Sequence, residues 1–201
     1  TGTCLILITP DSERTMCTFL GIAGKIAPCD IDENFIKHSE LVFLEGYLWD
    51  EGDPKEAFDK ALKLANKSAM SLSDKFCVDR HKKSFYDLVK NKLDIVFANE
   101  QEITELTDAK TFDDVVKFGK NLNKLLVITR SDKGSVAITG SEIVECESQK
   151  NLKIVDLTGA GDLFAAGFLH EYINKRSLAE SLKKGTEMAS KIIQKIGARL
   201  G

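Results

Sequence analysis

The chain has 201 residues, 43% hydrophobic and 29% charged, with a formal net charge of −3. That balance suits one soluble globular domain with a real core. It gives no electrostatic argument for nucleic acid or an anionic membrane, and no apolar run approaches the roughly 18 residues of a membrane span.

The cysteines at 4, 17, 29, 77 and 146 form no close pair. Scattered cysteines argue against a disulfide framework and for a reducing, cytoplasmic setting. Cys4 and Cys77 lie in apolar runs and read as packed thiols. His38, His81 and His170 lack the spacing of a metal pair, and His81 reads as a solvated member of a charge run.

The apolar start has no basic n-region and reads as a buried strand, not a signal peptide. Strands are predicted at Leu5–Thr9, Thr15–Gly21, Leu41–Glu45, Lys75–Asp79, Ile95–Ala98, Leu125–Thr129, Ser135–Thr139 and Leu152–Val155. Helices are predicted over Pro54–Ser71, Arg80–Asn91, Thr111–Leu122, Ala160–Asn174 and Ser177–Ile196. Thr111 and Ser177 are suited to capping them. Alternating strands and helices with short connections imply a mostly parallel sheet with helices on both faces, and ligands at the carboxyl ends of the strands. Leu125–Thr129 and Ser135–Thr139 read as a hairpin near a sheet edge.

The most informative stretch is Asp156-Leu157-Thr158-Gly159-Ala160-Gly161-Asp162. Its glycines let backbone amides approach a ligand, and the helix start behind them adds partial positive charge. An acid beside such an anion cradle is costly unless it takes a proton, so the stretch reads as a phosphoryl-transfer site. No Gly-Lys-Ser/Thr follows, which excludes a Walker loop. The acid directly after the glycines argues against a dinucleotide fingerprint.

Three further segments each allow two readings. Asn99 and Glu102 are three apart at a strand end. They could share a helix face and hold a hydrated Mg²⁺, or serve as ordinary partners of the helix dipole. The run Thr129 to Gly134 offers a hydroxyl, two cations and a flexible turn to nucleotide phosphates, or is a plain hairpin turn. Arg14 alone would be read as a solvated surface charge.

Together these segments resemble the PfkB (ribokinase-like) family of carbohydrate and nucleoside kinases. DLTGAGD at 156–162 is similar to its C-terminal signature and NEQE at 99–102 to its N-x-x-E motif. TPDSERTM, EGYLWD, LSDKFCVDRH and FANEQEITEL resemble the adenosine kinase-like branch. The resemblance implies an α/β, ribokinase-like fold and ATP-dependent transfer of the γ-phosphoryl group to a hydroxyl of a nucleoside (adenosine) or sugar. The alternatives are a kinase for another furanose-type sugar and a non-catalytic nucleotide- or sugar-binding module.

It further implies Asp162 as the base and Gly159, Ala160 and Gly161 as the anion hole. Asn99 and Glu102 would organise Mg²⁺, the metal held through water. Thr129 and Gly134 would lie at the nucleotide phosphates, with Arg14 reaching toward them. Asp156 and Thr158 match positions where some relatives bind a monovalent cation such as K⁺. The segment from Met188 to Gly197 and Ala198 would form part of the adenine pocket. Leu157 and Ser131 depart from the family pattern, the first at a small or β-branched position and the second at a common glycine. Relatives are longer, so residues 1–201 are expected to be the C-terminal portion of a single kinase domain, without its first strands and lid. The acceptor and the oligomeric state stay open.

Overall fold

The structure, a computed structural model, describes residues 2–49 and 54–200. Asp50, the last residue of the EGYLWD string, lies outside the described residues. Strands β1 (Thr3–Ile8) and β2 (Arg14–Phe19) pair antiparallel as a two-stranded ribbon. Helix α1 (Glu33–His38), β3 (Val42–Glu45), α2 (Lys55–Leu64), β4 (Ser68–Ser71), α3 (Lys75–Asp87), β5 (Ile95–Asn99) and α4 (Glu100–Thr107) follow. Next come α5 (Phe112–Leu122), β6 (Leu125–Thr129), β7 (Ser135–Ile138), β8 (Ile143–Cys146), α6 (Ala160–Ile173) and α7 (Leu178–Ile192).

Strands β3 to β8 lie in chain order in one six-stranded sheet. The pairs β3–β4 and β4–β5 are parallel, as helical crossovers require. The backbone gathers into two compact units. One takes in Leu20–Ile128 with Ile138–Glu142; the other takes in Thr3–Phe19, Thr129–Ala137 and the chain from Ile143 on. Among the described residues, no helix is long and apolar enough to cross a membrane.

In the first unit the core is built around Met70, Phe85, Ile95, Ile103 and Leu126, all fully buried. The strand predicted at Lys75–Asp79 is instead the first turn of α3. The Asp74 carboxylate accepts the Cys77 amide at 2.6 Å and starts a helix there. The strand itself is Ser68–Ser71, which the sequence reading gave to the end of the preceding helix. That helix stops at Leu64, and Asn66 donates to the carbonyls of Lys37 and Ser39. Asp94 then fixes the strand start: its carboxylate accepts from the Ser68 amide at 2.8 Å and hydroxyl at 3.0 Å. Burial and these bonds override the weak β-propensity of Ser-Ala-Met-Ser. His81 is not a solvated residue; its ring lies 6.0 Å from that of Trp49 and 5.9 Å from that of Phe85. Cys77 is buried as expected, but Cys4 is exposed on the ribbon.

In the second unit α6 and α7 pack through glycines. A Cβ on Gly185 would sit 2.8 Å from the Phe164 carbonyl, and one on Gly167 would sit 2.8 Å from the Lys184 carbonyl. Only hydrogen fits there, so the two helices approach backbone to backbone. Phe164, Phe168 and Tyr172 stack in succession along α6, the four-residue spacing seen in the sequence. The strand predicted at Leu152–Val155 joins no ladder. Its end is tied elsewhere: the Val155 amide donates to the Ile193 carbonyl at 2.8 Å. Strand β8 and helices α1 and α4 have no counterpart in the predicted elements.

Candidate active site

The glycine turn is built from the second unit's own bonds. Gly159 caps α6 with φ 77°, a left-handed backbone that costs an L side chain about 1–2 kcal/mol. The first bond of the helix runs from the Leu163 amide to the Gly159 carbonyl at 2.9 Å. Helical geometry gives the amides of 159–162 no carbonyl four residues back, and Gly159 has no side chain to cap them. The Ala160 amide turns back to the Leu157 carbonyl at 3.3 Å. Around Gly161 the space is open: a Cβ there would meet no atom within 4 Å. Asp162 is exposed in the same first turn.

Asp156 lies beneath the turn, 1% exposed. One carboxylate oxygen accepts the Thr158 amide at 2.8 Å and its hydroxyl at 2.6 Å; the other accepts the Gly197 amide at 2.8 Å. Burial pushes the Asp156 carboxyl up, but these bonds and the nearby Arg14 charge outweigh it and hold it below the usual carboxylate range. Leu157, the atypical residue, is half-buried. Ser12, with φ 68° in the turn between β1 and β2, donates its hydroxyl to the Ile154 carbonyl at 3.1 Å.

Thr129 ends β6, half-buried. The turn after it closes through the Arg130 amide on the Gly134 carbonyl at 2.7 Å. Ser131 takes φ 55°, a left-handed backbone that glycine would adopt more readily than serine. Gly134, at φ 89°, has the Cys146 carbonyl where a Cβ would go, so packing alone demands glycine there.

In the first unit Asn99 and Glu102 form a reciprocal cap on α4. The Asn99 side chain accepts the Glu102 amide at 2.8 Å. Glu102 accepts from the Asn99 amide at 2.8 Å and from its side-chain amide at 2.6 Å. The geometry is that of the helix-start reading, and the cap also holds the Glu102 carboxylate fixed. Two other helices carry the same box, Thr111 with Asp114 and Ser177 with Glu180. Glu102 differs from those acids in being 5% exposed. Burial first, then the neighbouring Asp74 and Glu45, pushes its carboxyl up to about 7.

Sequence reasoning gave no role to the residues around Glu102. Ser73, left-handed at φ 76°, donates to the Glu45 carboxylate and accepts the Tyr47 amide at 3.0 Å. The Tyr47 phenol is pushed up by burial and by Asp74 beside it. Their only signal was membership of the EGYLWD and LSDKFCVDRH strings. The structure thus brings Asp156, Thr158, Gly159, Gly197 and Ala198 together, with Arg14 acting on Asp156. Separately it brings Asn99 to Glu102.

A left-handed glycine cap with an acid in the same first turn thus sits at the start of α6, in an α/β chain whose strand pairs β3–β4 and β4–β5 are parallel. The profile of the pfkB family of carbohydrate kinases matches residues 1–201, and the chain belongs to that family. The crystal structure of adenosine kinase from Sinorhizobium meliloti superposes with a TM-score of 0.95 at 39% identity, covering 100% of this chain and 63% of that one. A cytidine kinase from Thermococcus kodakarensis is 37% identical over 54% of this chain and 40% of its own length. A 5-dehydro-2-deoxygluconokinase from Halalkalibacterium halodurans is 26% identical over 85% of this chain and 55% of its own. The chain therefore spans less than two thirds of each of these relatives.

Proposed function

We propose that this chain is the C-terminal portion of a single kinase domain that transfers the γ-phosphoryl group of ATP to a hydroxyl of a nucleoside, adenosine first, or of a sugar. The observation that carries the reading is the Gly159 cap, with open space at Gly161 and Asp162 exposed in the same turn. In the reaction, Asp162 accepts the proton of the acceptor hydroxyl as its oxygen bonds to the γ-phosphorus and the bond to the ADP oxygen breaks. The products are a phosphate ester and ADP. Little covalent chemistry is asked of the protein; positioning and charge stabilisation dominate. The amides of 159–161 would meet the developing negative charge, that of Ala160 by turning away from the Leu157 carbonyl it now reaches at 3.3 Å. Arg14, Thr129 and Gly134 hold the phosphates, and Gly197 and Ala198 border the base.

Asn99 and Glu102 suit a hydrated Mg²⁺. Among the described residues no three acids, histidines or cysteines gather as direct metal ligands, so Glu102, with the Asp74 and Glu45 charges acting on it, would hold the ion through the ion's own water. Each Glu102 oxygen accepts one bond from Asn99 and keeps a lone pair that a metal-bound water could use. When bound, such an ion would supply positive charge and ordered water. A K⁺ ion at Asp156 and Thr158 would share a carboxylate that already accepts three donors, so we assign those residues to holding the turn. The odd, scattered set of five cysteines supports a cytoplasmic setting.

The likeness to a 5-dehydro-2-deoxygluconokinase keeps a sugar acceptor as the second reading. Coupled ADP release from the complete protein, with adenosine, cytidine and a panel of furanose and ketose sugars, tests both. ATP-dependent turnover with one acceptor supports a kinase and names its class. ADP release no faster than with ATP alone, for every acceptor, refutes it.

A further inference from the structure

We propose that Asp156 is a positioning residue that couples the loop bearing Gly197 and Ala198 to the glycine turn, so that events at the phosphate end are felt at the base end. The proposal rests on the kinase reading above. Its physical content is a single buried carboxylate with two anchored sides. One oxygen holds the Thr158 amide and hydroxyl, which fixes the residue immediately before the left-handed Gly159. The other holds the amide of Gly197, forty-one residues away in sequence.

Two more contacts make the link stiff. The amides of Val155 and Asp156 both donate to the Ile193 carbonyl, at 2.8 and 3.3 Å, where α7 gives way to the loop. A Cβ placed on Gly159 would lie 3.0 Å from the Ala198 Cβ and 3.1 Å from its Cα, so turn and loop already touch. Gly197 itself has φ 89° with open space around its Cα; its glycine serves the backbone shape that aims this amide at Asp156. A buried charge held by three donors is expensive to leave half-satisfied, so the carboxylate resists letting go of either side. Rotation of the turn as its amides engage an anion therefore pulls on the loop through Asp156.

The test is amide hydrogen exchange on the complete protein with inorganic tripolyphosphate, which has phosphates and no base. In the wild type it is expected to slow exchange across 157–163 and also across 193–198, by at least about fivefold in each. Asp156→Asn keeps an acceptor for Thr158 but turns an amide donor toward the Gly197 amide. In that variant the loop's response is expected to vanish while the turn's survives. Loop slowing undiminished in Asp156→Asn overturns the proposal. So does wild-type slowing confined to 157–163, which leaves the phosphate reading intact. Slowing of neither segment overturns the phosphate reading itself, and this proposal with it. If Asp156→Asn does not fold, Thr158→Val decides. It removes one of the two bonds on the turn side, so a reduced loop response is expected and an unchanged one overturns the coupling.

Discussion

The Cα of Gly159 rests against Ala198, closely enough that a single methyl on the glycine would come within 3.0 Å of the alanine's own. Steric room and backbone sign therefore both disfavour any other residue at 159. Gly159→Ala is expected to lower stability by about 2–4 kcal/mol, combining the left-handed penalty with overpacking. Urea denaturation checks this, and a midpoint equal to wild type would count against the described turn.

Gly161 makes the opposite prediction from the same turn. No protein atom lies where its Cβ would go, and it sits in a helix, where alanine is favoured by about 0.8–1.0 kcal/mol. Gly161→Ala is expected to be as stable as wild type or more so, yet to bind ATP less well, because a ligand needs the space. Wild-type KM for ATP in a well-folded variant would show that nothing approaches the backbone there.

Asp162→Asn removes the proton acceptor and keeps the shape. Turnover is expected to fall by about 10²–10⁴-fold, the usual worth of a general base, with ATP affinity by titration calorimetry unchanged. Near-wild-type turnover would remove Asp162 from the mechanism.

Glu102 should leave a mark on the pH dependence of stability. Its carboxyl titrates at about 7 in the folded protein against an ordinary 4.5, so the folded state holds a proton that the unfolded chain releases. The associated stability is complete below about 4.5 and is lost as pH rises through about 7. Glu102→Gln should escape that loss, so its thermal midpoint should gain on the wild type's between pH 5 and 8. Adding Mg²⁺ at pH 8 should recover part of the wild-type loss and none of the variant's. Parallel pH curves for the two proteins would contradict the burial of an ionisable group at 102.

Much of this was legible in the chain, and the limits have physical causes. The signature at 156–162 is local: glycine geometry, helix start and acid all sit within one turn, so the residues could be read directly. The strand Ser68–Ser71 was not legible, because its identity comes from Asp94 clamping Ser68 and from its parallel pairing with β3 and β5. Leu152–Val155 looked like a strand by composition, yet its backbone bonds to the end of a helix far along the chain. The neighbours of Glu102 come from three strand ends, and no spacing rule relates Glu45 and Asp74 to it.

The three helix caps of identical pattern sit in different surroundings, and acid separates them. The carboxyls of Asp114 and Glu180, both exposed, are held below their ordinary values, chiefly by the side-chain and backbone donors of Thr111 and Ser177 respectively. Their caps are intact above those values and are released as pH falls through them, so α5 and α7 fray at their starts in acid. Glu102, raised by burial, is already protonated before either of them titrates. One hydrogen-bond motif used three times thus gives the chain an order of acid disassembly, in which the start of α4 outlasts the starts of α5 and α7.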